Sequence, residues 1–255
     1  MPIGLLGTKV GMTQVYTEKG QMAPVTVLQV GPCTVLQVKA PTRSDGGKAD
    51  GYHALQLGYL DKARRKATKA ESGHVSADLK SKRRAQGVRI GPKPNCEPKR
   101  HIREMRLDGP ATHAVGAVLT AAEVFQKVKK TLTDSKGKQT EVEEFPNVDV
   151  IGFTKGRGMT GVVKRHNYGG LRQTHGVKKG AKQRGSMGSN ASNRGSGRPK
   201  KGIRMAGRYG NEQVTVRNLD IVSIDSEKHL ILVKGAVPGF NGSIVLIRAT
   251  NKGNL

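Results

Sequence analysis

Between positions 150 and 211 the chain carries no aspartate or glutamate, while 15 of those 62 residues are lysine or arginine and 15 are glycine. No other feature limits the fold so strongly. Phe153, Tyr168 and Tyr209 are the only aromatic residues there, so the segment lacks the apolar surface that offsets the entropy of ordering a chain. Its like charges repel one another until a polyanion supplies counter-charge and releases condensed counterions. A loop of this length without a core of its own is uncommon unless it is functional. The charge points to that function: an arm ordered against nucleic acid. An anionic membrane is the competing polyanion, but the segment has no Leu/Phe/Trp stripe of an interfacial helix. A merely solubilising surface would mix charges of both signs.

The rest of the charge is as unevenly spread. The 255-residue chain has 45 Lys+Arg and 19 Asp+Glu, a formal net charge of +26. Residues 62–106 hold 15 basic and 4 acidic residues. The remaining 148 residues (1–61, 107–149 and 212–255) hold 15 of each. A neutral body thus carries two cationic segments, and a body of that size can bury one core. Apolar residues make up 35% of the chain, aromatics 4%, and tryptophan is absent, which keeps that core small.

The body reads as β structure. Residues 12–17, 23–30, 33–39 and 52–60 alternate apolar with polar residues or are rich in Val and Thr, with Gly31-Pro32 breaking the run. Residues 148–154, 213–217, 220–225, 229–234 and 243–248 are further short strand candidates, separated by clusters such as Pro238-Gly239-Phe240-Asn241-Gly242. Short strands at this spacing predict a mainly β, closed or nearly closed antiparallel barrel, built jointly by the two ends of the chain. One helix is predicted over 121–129, with Glu123 in its first turn and Lys127, Lys129 and Lys130 near its end. The 62–106 insertion is expected to be part helical and part extended, with little to bury. The 150–211 extension is expected to be an irregular Gly-rich arm, ordered only against a partner.

Several chemistries are excluded or weak. Two cysteines make no disulfide framework. No apolar run reaches the ~18 residues of a membrane span, and no signal-peptide pattern opens the chain, so a cytoplasmic chain is expected. Gly156-Arg157-Gly158-Met159-Thr160-Gly161 fits the dinucleotide G-x-G-x-x-G pattern. The acid that should follow about 20 residues later is missing, and the repeated βαβ context is absent. Close approach of backbone N–H groups to phosphates, with Lys155, Arg157 and Lys164 adding charge, is the better use of that loop. Neither a Walker A motif nor a nucleophile elbow occurs. Cys33 lies in a strand-like run, and Cys96 with His101 makes at most half a zinc site. The chain reads as a non-enzyme, without cofactor or metal.

The predicted RNA-contacting residues are Lys155, Arg157, Lys164, Arg165, His166, Arg172, His175, Lys178, Lys179, Lys182, Arg184, Asn190, Arg194, Arg198, Lys200, Lys201, Arg204 and Arg208. Lysine and arginine neutralise phosphates, while histidine and asparagine stack or hydrogen-bond and fix register. Two alternatives belong to other classes. One is a non-specific nucleic-acid chaperone on a barrel core. The other is a nucleotide-using enzyme built on the Gly156–Gly161 loop.

Several stretches carry a family resemblance. They are Gly4-Leu5-Leu6-Gly7-Thr8-Lys9-Val10-Gly11-Met12-Thr13; Thr154-Lys155-Gly156-Arg157-Gly158; Gly161-Val162-Val163-Lys164-Arg165-His166-Asn167-Tyr168; Gly185-Ser186-Met187-Gly188; Met205-Ala206-Gly207 with Gly210-Asn211-Glu212; and Leu232-Val233-Lys234-Gly235-Ala236-Val237-Pro238-Gly239. In this order, over nearly the whole chain, the sequence resembles bacterial large-subunit ribosomal protein L3, the uL3 family. The resemblance implies a translation-protein-type β-barrel body with a few short helices and a long basic extension running through ribosomal RNA toward the peptidyl transferase centre. It also implies direct binding of the large rRNA near its 3′ end, an early role in subunit assembly, and the ribosomal proteins L14 and L19 as neighbours. Membrane and small-molecule partners are not implied. Two departures stand out. The 62–106 stretch is longer and more basic than in shorter bacterial forms, and the spacing between Ser192 and Met205 is also longer. Where some members carry a methylated glutamine after an asparagine, Asn190 is followed here by Ala191, so that modification and its methyltransferase are not expected.

Overall fold

A computed structural model of the chain describes residues 3–16, 20–41, 50–76, 92–133, 139–187 and 201–250. The chain divides into two compact units, Met1–Phe153 with Val214–Leu255, and Thr154–Gln213.

The first unit is mainly β. Along the chain its strands are β1 (Gly4–Tyr16), β2 (Met22–Val30), β3 (Cys33–Lys39), β4 (Ala54–Asp61), β5 (Lys99–Arg106), β6 (Val118–Leu119), β7 (Val128–Thr133), β8 (Gln139–Glu144) and β9 (Val148–Phe153). The second unit contributes β10 (Met159–Thr160) and β11 (Gly207–Arg208), and the chain then returns through β12 (Gln213–Leu219), β13 (Ile221–Asp225), β14 (Leu230–Lys234) and β15 (Ile244–Ala249). Seven strands form one sheet in the order β12-β9-β15-β1-β2-β14-β13, and four form another in the order β5-β4-β3-β6. The central strand β1 runs antiparallel to β15, with Leu6 opposite Leu246, and to β2, with Thr13 opposite Val25. N- and C-terminal sequence is therefore interleaved, and neither end closes the sheet alone.

The strand order shows that the seven-stranded sheet curls. β12 and β13 are joined by Asp220 alone but stand at opposite edges. In a flat sheet six inter-strand spacings would hold them roughly 28 Å apart, whereas the two backbone steps from Leu219 to Ile221 span about 7 Å at most. The edges must approach each other at that corner, which is the nearly closed arrangement the strand spacing predicts. Between β2 and β3 only Gly31 and Pro32 intervene as the chain passes from the larger sheet to the smaller one, and Gly31 takes φ +73° there.

Both sheets feed one core. Leu5, Leu6, Leu28, Val30, Val150, Ile231, Val233, Val245 and Ile247 come from the larger sheet, and Cys33, Val35, Leu55, Leu57, Tyr59 and Met105 from the smaller. The Tyr59 hydroxyl donates to the Gln29 carbonyl at 3.1 Å and lies 3.2 Å from Thr8 Oγ1, a polar tie between the sheets. Lys9, only 7% exposed, sits at a bulge in β1 and donates from Nζ to the carbonyls of Val237 (2.8 Å) and Gly239 (3.3 Å). Cys33 is fully buried, and burial pushes its thiol pKa up to about 11.

Two expectations change. The helix predicted over 121–129 stops at α2 (Ala121–Val124), and Val128 begins β7, which pairs with β8. Phe125 is fully buried, and its backbone leaves the helical region (φ −109°, ψ 60°), so packing ends the helix after one turn. Within 62–106 there is more burial than composition suggested. A 3₁₀ turn (Arg64–Lys66) and α1 (Lys69–Val75) precede β5, which extends the smaller sheet from Ala54↔Arg106 to Asp61↔Lys99. Val75 and Met105 are buried. Residues 77–91 lie outside the described residues.

Candidate nucleic-acid interface

The second unit is built almost without a core. Of its described residues, Thr160 and Val162 alone are buried. Glycine and backbone hydrogen bonds take the place of apolar packing. Thr154 N–H donates to the Glu212 carbonyl (3.0 Å), and Glu212 N–H returns a bond to Thr154 Oγ1 (3.2 Å). Arg157 N–H donates to Tyr209 O (2.8 Å), and Tyr209 N–H to Gly158 O (3.1 Å). β10 and β11 then pair Met159 with Arg208 and Thr160 with Gly207. The G-x-G-x-x-G loop is therefore one arm of a short paired ribbon.

Side chains tighten that ribbon. α3 (Val162–His166) follows β10 and ends at Asn167 in the left-handed region. Arg165 Nη1 donates to the Met205 carbonyl at 2.9 Å, and His166 Nε2 lies 3.1 Å from the same oxygen. Two consecutive side chains thus hold a carbonyl some 40 residues away. A Cβ on Gly207 would strike the Arg165 guanidinium, and one on Gly210, at φ +74°, would strike the Lys155 carbonyl. Only glycine lets these strands approach so closely. The Arg157 guanidinium stacks over Tyr209 at 5.3 Å from the ring centroid.

The cationic side chains lie outside this framework. Lys155, Arg157, Lys164, Arg172, His175, Lys178, Lys179, Lys182, Lys201, Arg204 and Arg208 are exposed, whereas Arg165, His166 and Arg184 are half-buried. Asn190, Arg194, Arg198 and Lys200 lie outside the described residues. One buried guanidinium nitrogen, Arg184 Nη1, has no hydrogen-bond partner. Part of the arm expected to be irregular, 154–166 with 201–213, therefore has a defined internal structure. Sequence reasoning missed the residues that build it, Thr154, Tyr209, Gly207 and Glu212. The signal available was the pair of short motifs around Gly156–Gly158 and Gly210–Glu212, which face each other in the fold.

Comparison with known proteins agrees with this geometry. The family model for ribosomal protein L3 matches residues 90–230. The chain is 46% identical over 255 residues to the large ribosomal subunit protein uL3 of Rhodopirellula baltica, with 99% of each chain covered. It is 42% identical over 250 residues to uL3 of Thermobifida fusca, covering 98% of this chain and 96% of that one. This chain belongs to the ribosomal protein L3 family. A third relative, uL3 of Cutibacterium acnes, is 40% identical over 249 residues. The L3 family comprises structural constituents of the large ribosomal subunit, not enzymes. Its model spans the whole ribbon-and-arm unit and the strands on either side. Among the described residues, no group of three or more His, Cys, Asp or Glu could hold a metal, and no helix is long and apolar enough to cross a membrane.

Proposed function

We propose that this L3-family protein binds large-subunit ribosomal RNA directly, near its 3′ end, and that residues 150–211 form the main RNA-contacting segment, extending toward the peptidyl transferase centre. Binding supports early assembly of the subunit, with proteins L14 and L19 as neighbours of the body. One observation carries the reading: fifteen basic residues without an acid, in a unit with two buried side chains among those described. Such a segment gains little from its own packing and much from phosphate neutralisation. The hydrogen-bonded ribbon supplies a narrow, glycine-lined base. The exposed lysines and arginines supply counter-charge where RNA helices crowd, and polar and backbone groups fix register.

The test is a salt titration of binding to the 3′ portion of large-subunit rRNA and to an unrelated RNA of equal length. Full-length protein is compared with a variant in which a short linker replaces 155–208. The expected result is preference for the cognate RNA at high salt, with a shallower salt dependence in the shortened variant. Equal binding of both RNAs at every salt concentration would replace specific recognition with a non-specific chaperone activity.

A further inference from the structure

We infer that the first unit carries a second RNA-backbone platform, formed by Arg65, Lys66, Lys69 and Arg100 and separate from the 150–211 segment. The inference rests on the RNA-binding reading above but concerns a different compact unit. The residues involved lie in an ordered region. Lys62 N–H donates to the Pro98 carbonyl (2.7 Å), Asn95 N–H to Val75 O (2.9 Å), and Lys93 Nζ to His74 O (3.0 Å). These bonds join residues 62–76 to 93–98. A capping box at Thr68 and Glu71 starts α1, and β5 is laddered to β4.

Each carboxylate in the described part of this region holds a particular cation. Glu71 takes Lys62 through both oxygens at 2.8 Å. Glu97 holds the Arg64 guanidinium by three contacts of 2.8–3.1 Å. Asp61 takes Lys99 at 2.6 Å, and Glu104 takes Lys39 at 2.5 Å. No carboxylate among the described residues of 61–106 is left for Arg65, Lys66, Lys69 or Arg100, and all four are exposed. The ion pairs also gather them. Arg65 and Lys66 follow Arg64, which holds Glu97. Arg100 lies three residues beyond Glu97, and Lys69 lies two before Glu71, the partner of Lys62.

The ion pairs therefore neutralise the described carboxylates of 61–106 and order the backbone, leaving the four exposed cations in excess. A protein partner would be expected to meet aromatic or aliphatic anchors at the centre of its interface. The only large apolar residue of 60–76 that is exposed is Leu60, at 40%. Long cations on a pre-ordered base fit phosphates instead. Arg65, Lys66 and Lys69 precede residue 90, where the family match begins, and Arg100 lies within the matched segment.

Two full-length variants test this. One neutralises the platform (R65Q/K66Q/K69Q/R100Q), and the other neutralises exposed arm residues (K178Q/K179Q/K182Q/K201Q). Each is first checked for native circular dichroism and unfolding midpoint. Affinity for the 3′ rRNA transcript is then measured from low to high salt. At roughly 0.7–0.9 of slope per phosphate contact, each variant should lower the log K against log salt slope by about 3. A combined variant should lose the sum, and RNA–protein cross-links at 62–71 should appear in the parent complex. An unchanged slope in the platform variant, with a reduced slope in the arm variant, overturns the platform alone. Unchanged slopes in both overturn the RNA-binding reading itself.

Discussion

The two units of this protein are held together by different forces. In the first, twenty-one buried side chains, eighteen of them from the two sheets, share one core. The second has Thr160 and Val162 buried among its described residues, and its order comes from backbone bonds and the Arg165 and His166 contacts to Met205. Apolar burial needs no partner, so the first unit accounts for its own stability. Hydrogen bonds that exchange with water contribute only about 0.5–1.5 kcal/mol each, so the second unit is marginal by itself. The same composition that denies it a core gives it an unobstructed cationic surface. Weak intrinsic stability and the proposed RNA affinity have one cause here, the replacement of apolar residues by glycine, lysine and arginine.

The largest effect that separates the units should come from the core. Phe125→Ala removes a fully buried ring from the shared core. It should cost about 3–5 kcal/mol in urea unfolding, while the folded fraction keeps its salt-dependent RNA binding. Loss of that salt dependence in folded protein would show that the two units are not energetically separable.

A smaller, local effect is expected from Gly207→Ala, whose methyl would collide with the Arg165 guanidinium. Hydrogen exchange at β10 and β11 should speed up by an order of magnitude or so, about 1.4 kcal/mol of local opening, while the urea midpoint of the body stays in place. RNA affinity should fall without a change in salt slope, because no phosphate contact is removed. A change of one slope unit would instead make Arg165 a direct phosphate ligand.

The smallest effect concerns a cap in the first unit. Pairing with Lys62, aided by the Thr68 N–H, holds the Glu71 carboxyl below its ordinary pKa. A depressed folded pKa means the contribution is present above the ordinary carboxylate range, ~4.3, and is lost as pH falls through the lowered value. Amide protection in α1 should therefore decline on acidification while the core strands remain protected. Glu71→Gln should remove that pH dependence, and a persistent titration in this variant would assign it elsewhere.

Legibility in the sequence follows the same division. Residues 23–30 are rich in Val and Thr and residues 33–39 alternate apolar with polar side chains, so composition and short-range pattern located β2 and β3 closely. β7 was read as the end of a helix because lysines after an amphipathic start mimic a helix C-terminus; only the burial of Phe125 turns the chain out of the helix. β5 was hidden by its own charge. In Lys99–Arg106 a single side chain, Met105, enters the core, and four basic residues outweigh it in any composition window. In the arm, the class of residue was legible but its role was not. Arg165 and Lys164 look alike in sequence, yet one turns back onto a carbonyl and the other is exposed.

From the sequence alone came the neutral β-rich body, the two cationic segments, the polyanion they demand and the family. The first three depend on composition and short-range periodicity, which a linear chain displays, and the family on short motifs read in order along the chain. Tertiary structure decided which strands lie side by side, with β1 between β15 and β2 at the centre of the larger sheet. It also decided that the described acids of 62–106 are spent on particular cations, and that glycines 207 and 210 allow an arginine and a carbonyl to close over them. Each of these depends on residues distant in sequence meeting within a few ångströms, and no local pattern records such a meeting.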